Sequence, residues 1–566
     1  MAAESFFTHD PNEETRAARA EDDTQLHGTI PADLIPYLEE ADRVDDEDLV
    51  GDDQQEEVSE RDLALEALAL NSMLLGPDPS IVAELEGDYS QWGEDWEEEL
   101  AERRAEDAHR EALDDAAHTA AVLERVEEIY QQIIARVPEH QVQPTLDRVT
   151  ETLDILGDPQ NSYPSVHITG TNGKTSTTRM IDALLGAFGV RTGRFTSPHL
   201  VDVRERITIE GDSISPDEFV RTWEDIAPYI EMVDRAHAET DGTKLSFFEV
   251  FTVMAFAAFA DHPVDAAVVE VGMGGRWDAT NVIDAGVGVI MPIAIDHEKW
   301  LGSTIREIAE EKAGIIKPGQ IVIVAKQQEE ALRVIEERAA QVDAIVRLEG
   351  RDYEVLDRQL GVGGQMITVR TPAAVYEDVF VPLFGDYQAS NAAAAIAAVE
   401  AFMGGRALDA KVVEAGMLSA TSPGRLQVVR HSPTIIVDAA HNPAGAHTLG
   451  ESISEAFDFE RVVGVYSAMG DKDIEGVLGE VEPYLDSIVI TQMPGPRAKP
   501  AEEIAQIARE VFGADRVDVQ EDILEAIATA VNLGESGDES APATGVVVFG
   551  SVLLAGEVLR LMDIRP

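Results

Sequence analysis

Residues 165–180, Ser-Val-His-Ile-Thr-Gly-Thr-Asn-Gly-Lys-Thr-Ser-Thr-Thr-Arg-Met, decide the fold of this chain. A short β-branched run at 166–169 feeds a turn bracketed by Gly170 and Gly173, and a helical stretch opens near Lys174. The unit is a strand, a phosphate loop and a helix. Glycines let backbone N–H groups converge on an anion, the helix N-terminus adds partial positive charge, and Lys174 supplies a point charge for β- and γ-phosphates. A nucleoside triphosphate is the ligand this pattern predicts. The spacing departs from GxxxxGK[ST], because Ile168 stands where that pattern places its first glycine. An ordinary glycine turn capping a helix is the plainer reading of a lone Gly-Lys-Thr. Against it, Lys174 is the first lysine of the chain.

Outward from this stretch, 566 residues exceed what one core usually holds, so two or more domains are expected. A net charge of −65 argues against nucleic acid or an anionic membrane as the main partner. No run approaches the roughly 18 apolar residues of a membrane span, and the N-terminus lacks a basic-then-apolar signal pattern. A cytoplasmic protein is expected. The absence of cysteine removes disulfides, thiolate metal sites and cysteine nucleophiles together. Any metal must be held by oxygen or imidazole.

Residues 1–118 carry 37 acidic side chains against seven arginines and no lysine. Such charge density opposes collapse, so an acidic, largely disordered N-terminal extension is expected. Within it, residues 62–75 have leucines at helical spacing and residues 95–115 form a charged helix candidate. A docking arm for an unidentified partner is the other reading of this extension. A globular pattern begins at Thr119, with an amphipathic helix at 122–137. Beyond the phosphate loop, an apolar helix opens at Leu245-Ser-Phe-Phe-Glu249, and apolar strand runs follow at 265–270 and 287–295. Residues 345–384 alternate as an antiparallel excursion, and an alanine-rich helix is predicted at 392–402. From Ser422-Pro-Gly-Arg425 onward a second α/β pattern runs, with strands at 434–437, 462–466, 487–490 and 546–549. The domain boundary is placed near 420, giving domains at 119–420 and 421–566.

Strands alternating with helices imply an α/β fold with a mainly parallel sheet, whose ligands sit beyond the carboxyl ends of the strands. Glu270 and His297 stand at such ends. Phosphoryl transfer from a triphosphate calls for magnesium, which prefers hard oxygen ligands and usually takes one or two carboxylates. Glu270 is a candidate ligand. Taken singly, it also reads as a strand-end carboxylate satisfied by backbone, and His297 as a structural histidine.

Ten strings resemble, in family order, the Mur ligase superfamily and within it the folylpolyglutamate synthase/dihydrofolate synthase family. They are HITGTNGKTST (167–177), FTSPHL (195–200), FFE (247–249), EVGMGGRWDATNVI (270–283), DH (296–297), LGSTIREIAEEKAGIIKPG (301–319), SPGRLQVV (422–429), DAAHNPAGA (438–446), DKD (471–473) and GSVLLAGEV (550–558). The extension before residue 119 lies outside the resemblance. What the resemblance implies is a phosphate-loop central domain followed by a Rossmann-like domain. The implied reaction is ATP-dependent amide ligation, in which a carboxylate becomes an acyl phosphate and the amino group of L-glutamate displaces phosphate.

The resemblance also distributes roles. Thr171, Asn172, Gly173, Lys174 and Thr175 match the phosphate-binding loop. Ser197, Glu270 and His297 match magnesium ligands, and Lys312 matches a lysine modified to a carbamate beside a second metal; its plainer reading is a helical lysine paired with Glu310 or Glu311. Lys174, Lys312 and His297 are the implied catalytic groups. Arg425 matches a hinge arginine that reaches the ATP phosphates, Asp438 and His441 match positions facing nucleotide or metal, and Asn391 matches an adenine-side asparagine. Ser246, Phe248 and Asp278 match positions that contact dihydropteroate, with Phe248 equally readable as core. Asp471 and Lys472 are assigned to glutamate or substrate. The implied cofactors are ATP and two magnesium ions, with a monovalent cation left open, and the implied partners are pteroate or folate and L-glutamate, acted on by a monomer. Thr175, Tyr387 and Ala439 depart from residues common in the folate ligases, and Thr175 is closer to the muramyl ligases. A bifunctional enzyme is the expectation; a monofunctional folylpolyglutamate synthase and a muramyl-peptide ligase are its alternatives.

Overall fold

A computed structural model of the chain describes residues 96–138, 144–238, 242–535 and 543–564. Two compact units are distinguished, one ending at Glu128 and one running from Ile129. In the first, the described part is the helix Trp96–Ile134, which also continues past the junction. It joins most of the stretches read separately at 95–115 and 122–137 into one helix that ends at Ile134, because the alanines between them favour helix rather than a break. The boundary placed at 118 falls inside this helix, and the leucine-rich stretch at 62–75 lies outside the described residues.

Among the described residues the second unit holds three sheets. The largest is built from β1 (Ser165–Thr169), β2 (Thr192–Phe195), β3 (Ile207–Ile209), β4 (Asp212–Ser213), β5 (Ala266–Glu270), β6 (Val287–Ile290), β7 (Ile321–Val324) and β8 (Ile345–Leu348). Their order is β4-β3-β2-β5-β1-β6-β7-β8, parallel from β2 to β8, with β3 and β4 added antiparallel at one edge. β1, β5 and β6 are buried along their whole length, as expected for parallel strands covered on both faces. β1 lies between β5 and β6, so the phosphate loop leaves the sheet at its centre.

The helix Lys174–Ala187 packs on the helices Asp386–Phe402 and Ala410–Leu418. Alanine permits the close approach: residues 392–398 are fully buried, four alanines in a row followed by Ile396 and then Ala397 and Ala398 on the same core. β8 was expected within an antiparallel excursion, but it pairs parallel with β7, because the helix Glu329–Gln341 supplies a crossover between them. The antiparallel sheet is β9 (Glu354–Gly361), β10 (Gly364–Arg370) and β11 (Val375–Val381).

The last sheet contains β12 (Gln427–His431), β13 (Thr434–Val437), β14 (Arg461–Tyr466), β15 (Ser487–Ile490), β16 (Val517–Val519) and β17 (Thr544–Phe549), in the order β12-β13-β17-β14-β15-β16. All pairs are parallel except β12 with β13. The half-exposed edge strand β12 and the three-residue β16 lack the apolar run that marked the other four. Among the described residues no helix is long and apolar enough to cross a membrane.

Candidate active site between the parallel sheets

The phosphate loop is fixed before any ligand arrives. Met291 N bonds Thr169 O at 2.8 Å, Thr171 N bonds Pro292 O at 2.9 Å, and the Thr171 hydroxyl donates to Ala294 O at 3.0 Å while accepting Ala294 N at 3.0 Å. Gly173 has φ +85°, and a Cβ there would lie 2.8 Å from Asn391 Oδ1. Only glycine meets both conditions. Gly173 provides no side-chain cap for the helix that follows, so the first-turn N–H groups have an anion as their natural acceptor. Lys174 Nζ curls onto Gly170 O at 3.1 Å and Thr171 O at 3.2 Å, and burial lowers its pKa against the pull of Glu270 and Asp296.

Glu270 ends β5 with 1% of its surface exposed. Its Oε1 accepts the Thr175 hydroxyl at 2.8 Å and its Oε2 the Ser197 N–H at 3.4 Å. Burial pushes its carboxyl pKa up, while nearby Lys174 opposes the shift. Thr175, the departure from the folate pattern, therefore serves as the hydroxyl partner of this carboxylate. Among the described residues no three His, Asp or Glu side chains gather as a chelating group. One carboxylate with hydroxyl neighbours suits magnesium, which keeps waters and takes phosphate oxygens. The residues present thus fit that ion.

Lys312 is buried, and its Nζ donates to Gly170 O at 2.7 Å. Burial first, then the charge of Lys174, bring its pKa down to about 7. A substantial neutral amine fraction at physiological pH is what reaction with carbon dioxide requires, so the environment fits a carbamate. Neither Glu310 nor Glu311 is its bonded partner here. His297 has φ +53° and a side chain 36% exposed; desolvation lowers its pKa to about 4, with Asp296 opposing.

Asp296 joins the two sheets of the site. Its Oδ1 accepts Lys472 Nζ at 2.8 Å, and its Oδ2 accepts Asn442 Nδ2 at 3.3 Å with His441 Nε2 at 3.5 Å. Although burial opposes ionisation, His441, His297 and Lys472 together hold Asp296 far below the usual carboxylate range. Asn442 also exchanges a reciprocal amide pair with Asn172 of the phosphate loop, at 3.1 and 3.3 Å. Ser176 and Ser422 hydroxyls meet at 2.8 Å. Asn391 donates to Gln388 at 3.0 Å.

Asp438 accepts Leu426 N and Ala440 N, each at 2.7 Å, so both its oxygens brace the segment that carries Arg425. Ser246 and Glu249 form a reciprocal capping box on the helix Phe247–Asp261, and Glu249 is bonded to buried Arg148 at 2.8 Å. Phe248 is core and wall at once: its ring lies on Gly272, where a Cβ would come within 2.5 Å. Asp278 accepts Thr280 and Met273 backbone N–H groups at 3.0 and 2.8 Å.

These groups line one cavity of about 930 Å³. The phosphate loop, Ser197, Ser246, Phe248, Glu270, Asp278, His297 and Lys312 face it from one side, and Arg425, Asp438, His441 and Lys472 from the other, with Asn391 beside Gly173. Asp471 stands outside the lining, paired with Arg497 at 3.4 Å on the surface. Several lining residues escaped the sequence reading. His199 accepts Arg206 Nε at 2.9 Å and lies 3.5 Å from the Tyr130 hydroxyl, and Arg206 stacks over Phe247 at 4.9 Å. FTSPHL contained His199, but nothing local distinguished it from a core histidine.

Residues 168–399 match the Mur ligase middle domain, and residues 424–552 match the Mur ligase glutamate ligase domain. The dihydrofolate synthase/folylpolyglutamate synthase of Mycobacterium tuberculosis is 46% identical over 465 residues, covering 79% of this chain and 95% of that protein. The chain belongs to this family of Mur ligases. The dihydrofolate synthase/folylpolyglutamate synthase of Escherichia coli is 31% identical over 363 residues, 64% of this chain and 80% of that protein. The crystal structure of the M. tuberculosis folylpolyglutamate synthase complexed with ADP and AMPPCP superposes with a TM-score of 0.75 at 45% identity, covering 79% of this chain and all of that one. An E. coli structure with DHPP and ADP gives 0.67 at 28% identity, covering 77% of this chain and 97% of that one. This folate-type Mur ligase is an ATP-dependent enzyme, and the cavity between its parallel sheets is where its phosphate loop opens.

Proposed function

We propose that the chain joins L-glutamate to dihydropteroate and to (tetrahydro)folates. The γ-phosphoryl group of ATP passes to the acceptor carboxylate, releasing ADP and forming an acyl phosphate. The glutamate amino group attacks its carbonyl carbon, phosphate leaves, and the amine gives up a proton. The observation that carries this reading is a shared cavity in which a phosphate loop meets an aromatic and acidic wall on one side and a cationic C-terminal surface on the other.

Thr171, Asn172, Gly173, Lys174 and Thr175 wrap the phosphates, Lys174 exchanging its two loop carbonyls for phosphate oxygens. Asn391 takes the adenine side, and Arg425 reaches the phosphates from a segment braced by Asp438. His441 serves with Asp296 at the junction. Ser197, Glu270 and His297 would hold magnesium, with Lys312 as a carbamate beside a second ion. Magnesium supplies charge neutralisation at the β- and γ-phosphate oxygens. Ser246, Phe248 and Asp278 hold the acceptor, and Lys472 the glutamate, with Asp471 at the rim. Contacts from Asp296 to His441, Asn442 and Lys472 draw the sheets together over the cavity and exclude water from the acyl phosphate.

We further read the chain as a cytoplasmic monomer with catalytic domains at 119–420 and 421–566 that follow an acidic N-terminal extension. Incubation with ATP, L-glutamate and either 7,8-dihydropteroate or tetrahydrofolate should release ADP. No turnover with either acceptor overturns the assignment. Turnover with tetrahydrofolate alone selects a monofunctional folylpolyglutamate synthase.

A further inference from the structure

His167 lies on β1, just ahead of the phosphate loop, and is completely buried. Its Nε2 is 2.8 Å from the Thr280 hydroxyl, which in turn donates to Asp278 Oδ1 at 2.5 Å. Asp278 also receives two backbone N–H groups, one on each oxygen. A carboxylate so surrounded is an acceptor only, so the single Thr280 proton points at Asp278. His167 Nε2 must then be the donor to Thr280, and Nδ1 carries the lone pair. Nδ1 has no hydrogen-bond partner.

An orphaned buried nitrogen costs stability that an apolar side chain of similar size would avoid. Packing alone does not account for a histidine here. A relay that ends in the cavity wall does. We propose that His167 is a positioning residue for the acceptor, fixing the Asp278 carboxylate through Thr280. This rests on the reading of Asp278 as an acceptor contact. A second tie supports it: the Thr169 hydroxyl donates to Gly274 O at 2.7 Å. The segment from β5 to Thr280 is thus bonded by two side chains of the strand that ends in the phosphate loop. One strand sets the register between the acceptor and the γ-phosphate.

The test uses the full chain with variants His167→Leu, His167→Gln, Thr280→Val and Thr280→Ser. Leucine and valine break the relay and should raise the acceptor KM about tenfold, the worth of one lost charge-assisted hydrogen bond, with kcat and the ATP KM nearly unchanged. Glutamine keeps an N–H donor and serine keeps the hydroxyl, so both should recover most of the acceptor KM. If His167→Leu does not fold, Thr280→Val decides. An unchanged acceptor KM in Thr280→Val, or equal losses for ATP and acceptor, overturns the proposal. NMR of ¹⁵N-labelled histidine reads the tautomer without acceptor. A protected Nε2–H that is lost in Thr280→Val supports the relay, and an Nδ1–H tautomer overturns it. This readout stands even if neither folate acceptor is turned over, a result that would end only the folate reading.

Discussion

Lys312 Nζ donates to the carbonyl of Gly170 at 2.7 Å, although 142 residues separate them. The helix Ile305–Lys312 ends where the phosphate loop begins, so a change at Lys312 is felt by the loop as well as by any metal beside it. Burial has brought the amine to about pKa 7, within reach of carbamate chemistry.

Lys312→Ala should therefore lower kcat by about 10²-fold, the scale for losing one preorganised charged group in a closed site. Added formate or acetate should restore part of it by occupying the vacated oxygen position. Wild-type rates in the alanine variant, measured by ADP release, would contradict the carbamate role.

The contact between Asp296 and Lys472 bridges the two parallel sheets through side chains that are about nine-tenths buried, at 2.8 Å. Replacing either residue by alanine strands the other and should destabilise the chain by about 2–4 kcal/mol. A double-mutant cycle read by urea unfolding should show coupling of about 1–3 kcal/mol. Additive losses would mean that the two charges stand together without depending on each other.

The parts of this site legible in the sequence are those whose chemistry is carried by neighbours in the chain. Gly170, Gly173 and Lys174 declare an anion site because backbone geometry alone makes it. The Asp296 junction was illegible, since Asn442 and Lys472 lie 146 and 176 residues away and only the fold brings them together. The helix Asp386–Phe402 was recognised only from 392, because its first turn is polar where Gln388 and Asn391 turn toward the phosphate-loop helix. Asp438 read as a nucleotide-side residue from its motif; it lines the cavity, and the backbone N–H groups on its two oxygens add a bracing role that only the fold reveals.

Gly173→Ala places a methyl group 2.8 Å from Asn391 Oδ1 at φ +85°. The left-handed backbone costs about 1 kcal/mol for alanine, and the contact adds to it. ATP KM should rise at least about tenfold, given that 1.4 kcal/mol is one decade. Combining it with Asn391→Ala removes the collision but not the backbone strain, so only partial recovery of ATP binding by isothermal calorimetry is expected.

His167 is held neutral at a pKa of about 3, against an ordinary 6.5, by burial and by the charge of Lys317. The unfolded chain binds a proton at this residue between those two values and the folded chain does not. Unfolding is therefore favoured as pH falls, and stability contributed at neutral pH is lost from about pH 6 toward pH 3, at about 1.4 kcal/mol per pH unit. Urea midpoints of the wild type and His167→Gln at pH 7 and pH 5 test this. The variant should lose less stability on acidification, and parallel losses would assign the acid sensitivity to other groups.

Glu270 sets activity against stability at a single carboxylate. Its pKa is raised by burial, so the folded state holds a proton more readily than the unfolded one, and ionisation at neutral pH weakens the fold. Glu270→Gln keeps an oxygen to accept the Thr175 hydroxyl and removes the buried charge. The variant should melt higher than the wild type, by a margin on the order of 1 kcal/mol. Its turnover should collapse, because the neutral amide cannot supply the anionic oxygen on which magnesium binding depends. Calorimetry and ADP release on the same preparation decide the matter. A variant that is both less stable and inactive would mean that Lys174 stabilises the ionised carboxylate more than burial opposes it.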